Sequence, residues 1–162
     1  MNRAEELRER LHLIKHPEGG AFCEHYTSEC CLPDGRPACG SIYFMLEGEE
    51  ISHFHQIDCE ELWYYHEGCG MQITLVDESG RVTRRVLGPD VSHGQEPMVL
   101  IRRGVIFGAE NLSKDSYCLI SCATAPHFRY EGFRLISYRW VQEHTGEQAE
   151  SLRYLTDLAV ET

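Results

Sequence analysis

The stretch "ISHFHQIDCEELWYYHEG", residues 51–68, decides how this chain is read. It sets His53 and His55 two apart, follows them with Glu60 and Glu61, and closes on Gly68. In an extended strand, residues two apart share a face, so His53 and His55 are expected to point the same way. After a short turn at Gln56–Cys59, Glu61, Trp63 and Tyr65 fall on one face of the next strand. Glu60, Leu62, Tyr64 and His66 fall on the other. If the two strands pair, two imidazoles and one carboxylate converge in a β interior. That donor set suits a divalent Zn, Mn, Ni or Fe ion with positions left open for substrate. A buried carboxylate also needs a partner, and a cation supplies one. The plainer reading is a packed strand in which H-x-H arises by chance.

Working outward, the neighbouring segments are β-branched, aromatic or alternating: "SIYFML" (41–46), "MQITLVD" (71–77), "RVTRRVLG" (81–88), "PMVLIRR" (97–103) and "YCLISCA" (117–123). Turn signals separate them at "PDGRP" (33–37), "DESGR" (77–81) and "GPD" (88–90). Many short antiparallel strands with frequent turns predict a sandwich or barrel. Asn2, with Glu5 three residues on, predicts a capped N-terminal helix that ends before "KHPEGG". At the other end, "TGEQAESLRYLTDLAV" carries Leu152, Leu155 and Leu158 at three-residue spacing, which predicts one amphipathic helix. The expected organisation is a single domain over 1–140 and a helical extension over 141–162. That extension would pack on the domain or on a partner subunit.

A formal charge of −11 argues against nucleic acid or an anionic membrane as partner. The charged opening "MNRAEELRER" and the lack of a long apolar run lead us to expect a cytoplasmic protein. No C-x-x-C occurs among the eight cysteines, which disfavours zinc-ribbon and thioredoxin readings. Cys118 and Cys122 share a face of one strand and read as core.

In these motifs the chain resembles the cupin superfamily. The superfamily's first motif is a glycine, five residues, H-x-H, three or four residues, a glutamate, six residues and a glycine. Here Gly48 is followed by four residues and then His53-Phe54-His55, and the six residues "LWYYHE" separate Glu61 from Gly68. "HPEGGAFCEHY" (16–26), "GSIYFML" (40–46), "LGPDVSHGQEPMVLIRRG" (87–104) and "SCATAPHFRYEGF" (121–133) further resemble the small single-domain Cupin 5 proteins, over roughly residues 7–138. The resemblance implies an all-β cupin double-stranded β-helix, or jelly-roll barrel, with a pocket inside and pairing as a homodimer.

The chain departs from the pattern in places. Five residues separate His55 from Glu61, one more than usual. The second motif, P-x-G-x-x-H-x-x-x-N, appears as "RRGVIFGAEN", which sets Phe107 where the fourth metal ligand usually stands. A three-ligand centre of His53, His55 and Glu61 and a pocket without metal both stay open. "HPEGG" reads either as a turn or as a pocket rim bringing His16, Glu18 and Glu24 to a ligand. Trp63 and Tyr65, on the Glu61 face, are further pocket candidates. Cys23 and Thr27 occupy positions where relatives frequently carry arginine.

The expected function is an isomerase, an epimerase or a related lyase acting on a small polar, sugar-like metabolite. In a metal version, His53, His55 and Glu61 hold the ion. In a metal-free version, His55 is the base and Tyr65 or Tyr26 the acid. The alternatives are a non-catalytic small-molecule binding protein and an Fe(II) oxygenase.

Overall fold

Apolar–polar alternation in the central segments resolves into two antiparallel sheets in a computed structural model that describes residues 2–157, 159 and 160. The first sheet has the order β1 (Ile14–Lys15), β2 (Ala21–Thr27), β3 (Gly40–Glu47), β10 (Tyr117–Ala125), β5 (Glu60–Gly68), β8 (Met98–Ile101). The second runs β11 (Arg134–Leu135), β4 (Ile51–Gln56), β9 (Ile106–Asn111), β6 (Met71–Val76), β7 (Val82–Leu87). Inward side chains from both sheets form one core, with Phe44, Leu46, Trp63, Ile73, Phe107 and Ile120 among its buried members. This is the two-sheet jelly-roll arrangement that the resemblance implies.

Helix α1 (Arg3–Arg10) carries the expected capping box. The Asn2 side chain accepts from the Glu5 N–H, and the Glu5 carboxylate accepts from the Asn2 N–H. Its Ala4 and Leu7 pack outside the barrel on Met45 and Leu119. Cys118 and Cys122 are buried, as their parity predicts.

The C-terminal segment differs from the single helix expected. Helix α2 (Tyr138–Thr145) starts upstream of the predicted stretch, on the Ser137 cap, and stops at Gly146, whose φ is 57°. Short helical pieces follow, including α3 (Ala149–Leu152). Leu152 and Leu155 are fully buried against Phe54, Ile106, Ile136 and Val141. Leu158 lies outside the described residues. The packed leucines hold this segment even though the backbone is not one helix.

Candidate functional site

Strand β4 carries an extra residue. Ser52 pairs with Ala109 and His55 with Phe107, so three steps on β4 oppose two on β9. A β-bulge of this kind breaks alternation and turns consecutive side chains to one side. Ser52 and His55 point inward. Phe54 packs outside against the C-terminal helices, and His53 lines an outer groove with Glu150, Arg153 and Asp157. The shared face expected for His53 and His55 is therefore absent, because parity holds only along a regular ladder. On β5 the ladder is regular around Glu61, which is buried, while Glu60 and Tyr64 are exposed.

The "HPEGG" turn completes the inner constellation. Gly19 and Gly20 have φ of 108° and 74°, and a Cβ on Gly19 would stand 1.9 Å from the Ile51 carbonyl oxygen. The turn can press on the start of β4 only with glycine there. That closeness drives Glu18 into the barrel, where it is 7% exposed. Its carbonyl accepts from the His53 N–H at 2.7 Å and from His53 Nδ1 at 2.8 Å. Both readings of this segment hold together: it is a glycine turn, and it delivers glutamate to a cavity.

His55 Nδ1 lies 2.7 Å from the His53 carbonyl oxygen, which can only accept, so Nδ1 carries the proton. Burial pushes the His55 pKa down to about 3, which keeps the ring neutral and leaves Nε2 with its lone pair. Glu18 Oε2 is 3.0 Å from Nε2, and Ser52 Oγ donates to Glu18 Oε1 at 3.0 Å. Burial first, and then the Glu61 charge, hold Glu18 well above the usual carboxylate range. The consistent assignment is a protonated Glu18 donating Oε2–H to His55 Nε2. Burial raises Glu61 to about 7, with the Trp63 indole and Cys122 thiol beside it acting in the opposite direction. His16, lowered to about 4 by burial, accepts the Glu18 N–H on Nδ1 at 3.2 Å.

These groups line a cavity of about 260 Å³. Its walls include Phe22, Ile42, Ile57, Thr124 and Phe128, and the more exposed Glu24, Ser41, His127 and Tyr130 frame its mouth. His127 Nε2 is 3.5 Å from Glu24 Oε2 and 3.3 Å from Thr27 Oγ1. Sequence reading missed Ser52, Cys122, Thr124, His127 and Phe128. Serine, threonine and cysteine carry no spacing signal, and the 126–133 segment reaches the mouth only through the fold.

The remaining predicted residues lie elsewhere. Trp63 and Phe107 are buried behind the cavity, with the Phe107 ring 4.1 Å from that of His55. Tyr65 donates its hydroxyl to the Gly68 carbonyl at 2.8 Å, a neighbour three residues along its own strand, and so does not serve His55. Tyr26 is 51% exposed on the edge-proximal strand β2 and does not line the cavity.

Neither does the expected three-ligand metal centre form. Of the positions a cupin would use, His53 faces outward, Phe107 has no donor atom, and only His55 and Glu61 face the cavity. Glu18 already engages the His55 lone pair, and His16 Nδ1 is taken by a backbone N–H. Among the described residues no three His, Cys, Asp or Glu side chains are arranged to hold an ion. The residues at the family's ligand positions do not fit a metal.

The chain matches the family described as Cupin_5, cupin superfamily (DUF985), over residues 5–136. It is similar to the crystal structure of protein SO0799 from Shewanella oneidensis, with 31% identity and a TM-score of 0.91, over 97% of this chain and 99% of that one. A hypothetical protein from Leishmania major is 27% identical, with a TM-score of 0.86, over 96% of this chain and 99% of that one. Oxalate decarboxylase from Bacillus subtilis shares the fold at 17% identity and a TM-score of 0.57, over 91% of this chain and 37% of that one. No curated protein matches the chain.

Proposed function

The chain belongs to the Cupin_5 (DUF985) family of the cupin superfamily, and on that premise we propose that it is a metal-independent proton-transfer enzyme, an isomerase or epimerase acting on a small carbonyl metabolite. The observation that carries this reading is the 3.0 Å contact between Glu18 Oε2 and His55 Nε2 beside Glu61. Two carboxyl groups share one cavity, both raised by burial, but only Glu18 is hydrogen-bonded to His55 and Ser52 and feels the charge of the other. Such a pair divides acid and base work.

Glu61, raised to about 7 by burial, is poised to take a C–H proton next to the substrate carbonyl. Glu18 gives its proton to the carbonyl oxygen as charge develops there, and the neutral His55 holds that proton in place until then. Glu61 returns its proton to a carbon of the resulting enediol, and Glu18 recovers its own from oxygen. Return of the proton to the neighbouring carbon moves the carbonyl, and return to the original carbon inverts that centre only after the enediol has turned its other face to Glu61, in either case with no redox change. His53 is a positioning residue in this scheme: it donates twice to the Glu18 carbonyl and accepts from His55 Nδ1. The apolar walls exclude water from the enediol.

The test uses untagged protein in D₂O with a panel of unphosphorylated aldoses and ketoses, read by NMR. Deuterium is expected next to the carbonyl, with a loss of at least about 100-fold in Glu61→Gln and in Glu18→Gln. Two findings would sink the reading: no incorporation across the panel, or incorporation that vanishes with a chelator and returns with an added ion.

A further inference from the structure

Among the described residues, three glutamates, Glu18, Glu24 and Glu61, line the cavity, and no lysine or arginine does. The arginines that secure the neighbouring segments are already committed: Arg36 and Arg129 both bind Asp58, at 2.8 and 2.7 Å. A carboxylate or phosphate on a ligand would lose its hydration and meet like charge without a counter-ion.

Glu61 is the sharper observation. It is 8% exposed and lines the cavity, yet among the described residues no lysine, arginine or histidine pairs with its carboxylate, whose polar neighbours are the neutral Trp63 indole and Cys122 thiol. The Trp63 Nε1 beside it is buried and meets no other acceptor. A buried carboxylate without a cationic partner is costly unless something that binds there supplies one. The same cavity is lined by the rings of Phe22, Phe128 and Tyr130, with Phe128 and Tyr130 packed edge to face at 5.0 Å.

We infer that the ligand carries a primary ammonium group on an otherwise uncharged polar body. Glu61 is the counter-ion through one carboxylate oxygen, and its other oxygen stays free to act as the base. Phe22, Phe128 and Tyr130 form an aromatic wall that favours a cation. Ser41 and Glu24 at the mouth take the hydroxyls of the body. This deepens the proton-transfer reading and rests on the same cavity being the functional site: the substrate class becomes an amino sugar or amino alcohol rather than a sugar acid or sugar phosphate.

Matched probes test this on the full chain: glucosamine, glucose and glucose 6-phosphate, with ethanolamine and ethylene glycol as minimal versions, in titration calorimetry up to about 50 mM. Each amine is expected to bind saturably and at least about tenfold more tightly than its neutral counterpart, with no binding of the phosphate. Glu61→Gln is expected to erase the preference. Phe128→Leu, which leaves the carboxylates in place, is expected to weaken amine binding severalfold. An equal or tighter response to the neutral or phosphorylated probe overturns the inference. So does the absence of saturable amine binding, or a preference that survives in both variants. Amine binding without deuterium exchange would remove the enzyme reading and keep this one. Exchange on neutral sugars with no amine preference would do the reverse.

Discussion

Glu61 gives the stability of this protein a pH slope whose sign follows from its burial. In the unfolded chain its carboxyl ionises above the ordinary 4.5, whereas in the folded chain it stays protonated until about 7. Between those values the unfolded state releases a proton that the folded state keeps, so stability falls as pH rises. Glu18, also raised by burial, acts in the same direction, while His55, lowered to about 3, costs stability as pH falls below 6.5. Glu61→Gln removes the Glu61 contribution. We expect the variant and parent to have equal stability at pH 4, and the variant to be more stable at pH 8, by about 3 kcal/mol at most. Urea unfolding at the two pH values measures this, and an unchanged difference between them would refute the assignment. The candidate interior set Glu61, Trp63 and Tyr65 was legible at this scale because β5 keeps a regular ladder there. His53 was not, because one inserted residue is invisible to a count of two.

At the scale of elements, two features build the site: the bulge in β4 and the glycine turn that leans on it. The turn makes a sharp prediction. Gly19→Ala forces a side chain into φ 108° and toward a backbone oxygen 1.9 Å from its Cβ, and backbone cannot rotate out of the way. We expect a loss of about 1–3 kcal/mol from the conformation alone and more from the displaced β4, with Glu18 no longer held against His55. Gly35→Ala is the control. Its φ is 84°, but a Cβ there meets nothing within 4 Å, so only the conformational part is lost. Thermal unfolding of the pair separates the two costs, and equal losses would show that the turn does not bear on β4. The strands with strong alternation were readable from sequence. Strand β9, "IFGAEN", and strand β2 were not predicted as strands, since their glycine and polar residues hide the period and pairing partners supply the order.

At the scale of the molecule, Asp58 ties together two segments distant in sequence. It binds Arg36 from the β2–β3 connection and Arg129 from the stretch before β11. Arg36 also reaches the His127 carbonyl at 2.7 Å, and a Cβ on Gly132 would collide with the Asp58 carboxylate at 2.2 Å. The segment bearing His127, Phe128 and Tyr130 is thereby held over the cavity mouth. We expect Asp58→Ala to speed amide hydrogen exchange across residues 126–133 and leave α1 and β6 unchanged. Unaltered exchange there would mean that aromatic packing alone holds the roof. The amino-acid sequence by itself determined the all-β class, the N-terminal cap, the position of Glu61 and the cupin pattern, because each rests on residues near one another in the chain or on a regular period. Tertiary structure alone decided that Glu18 meets His55, that His53 turns outward and that His127 guards the mouth. Those outcomes depend on one bulge, one glycine turn and one ion-pair anchor, each of which joins residues far apart in sequence.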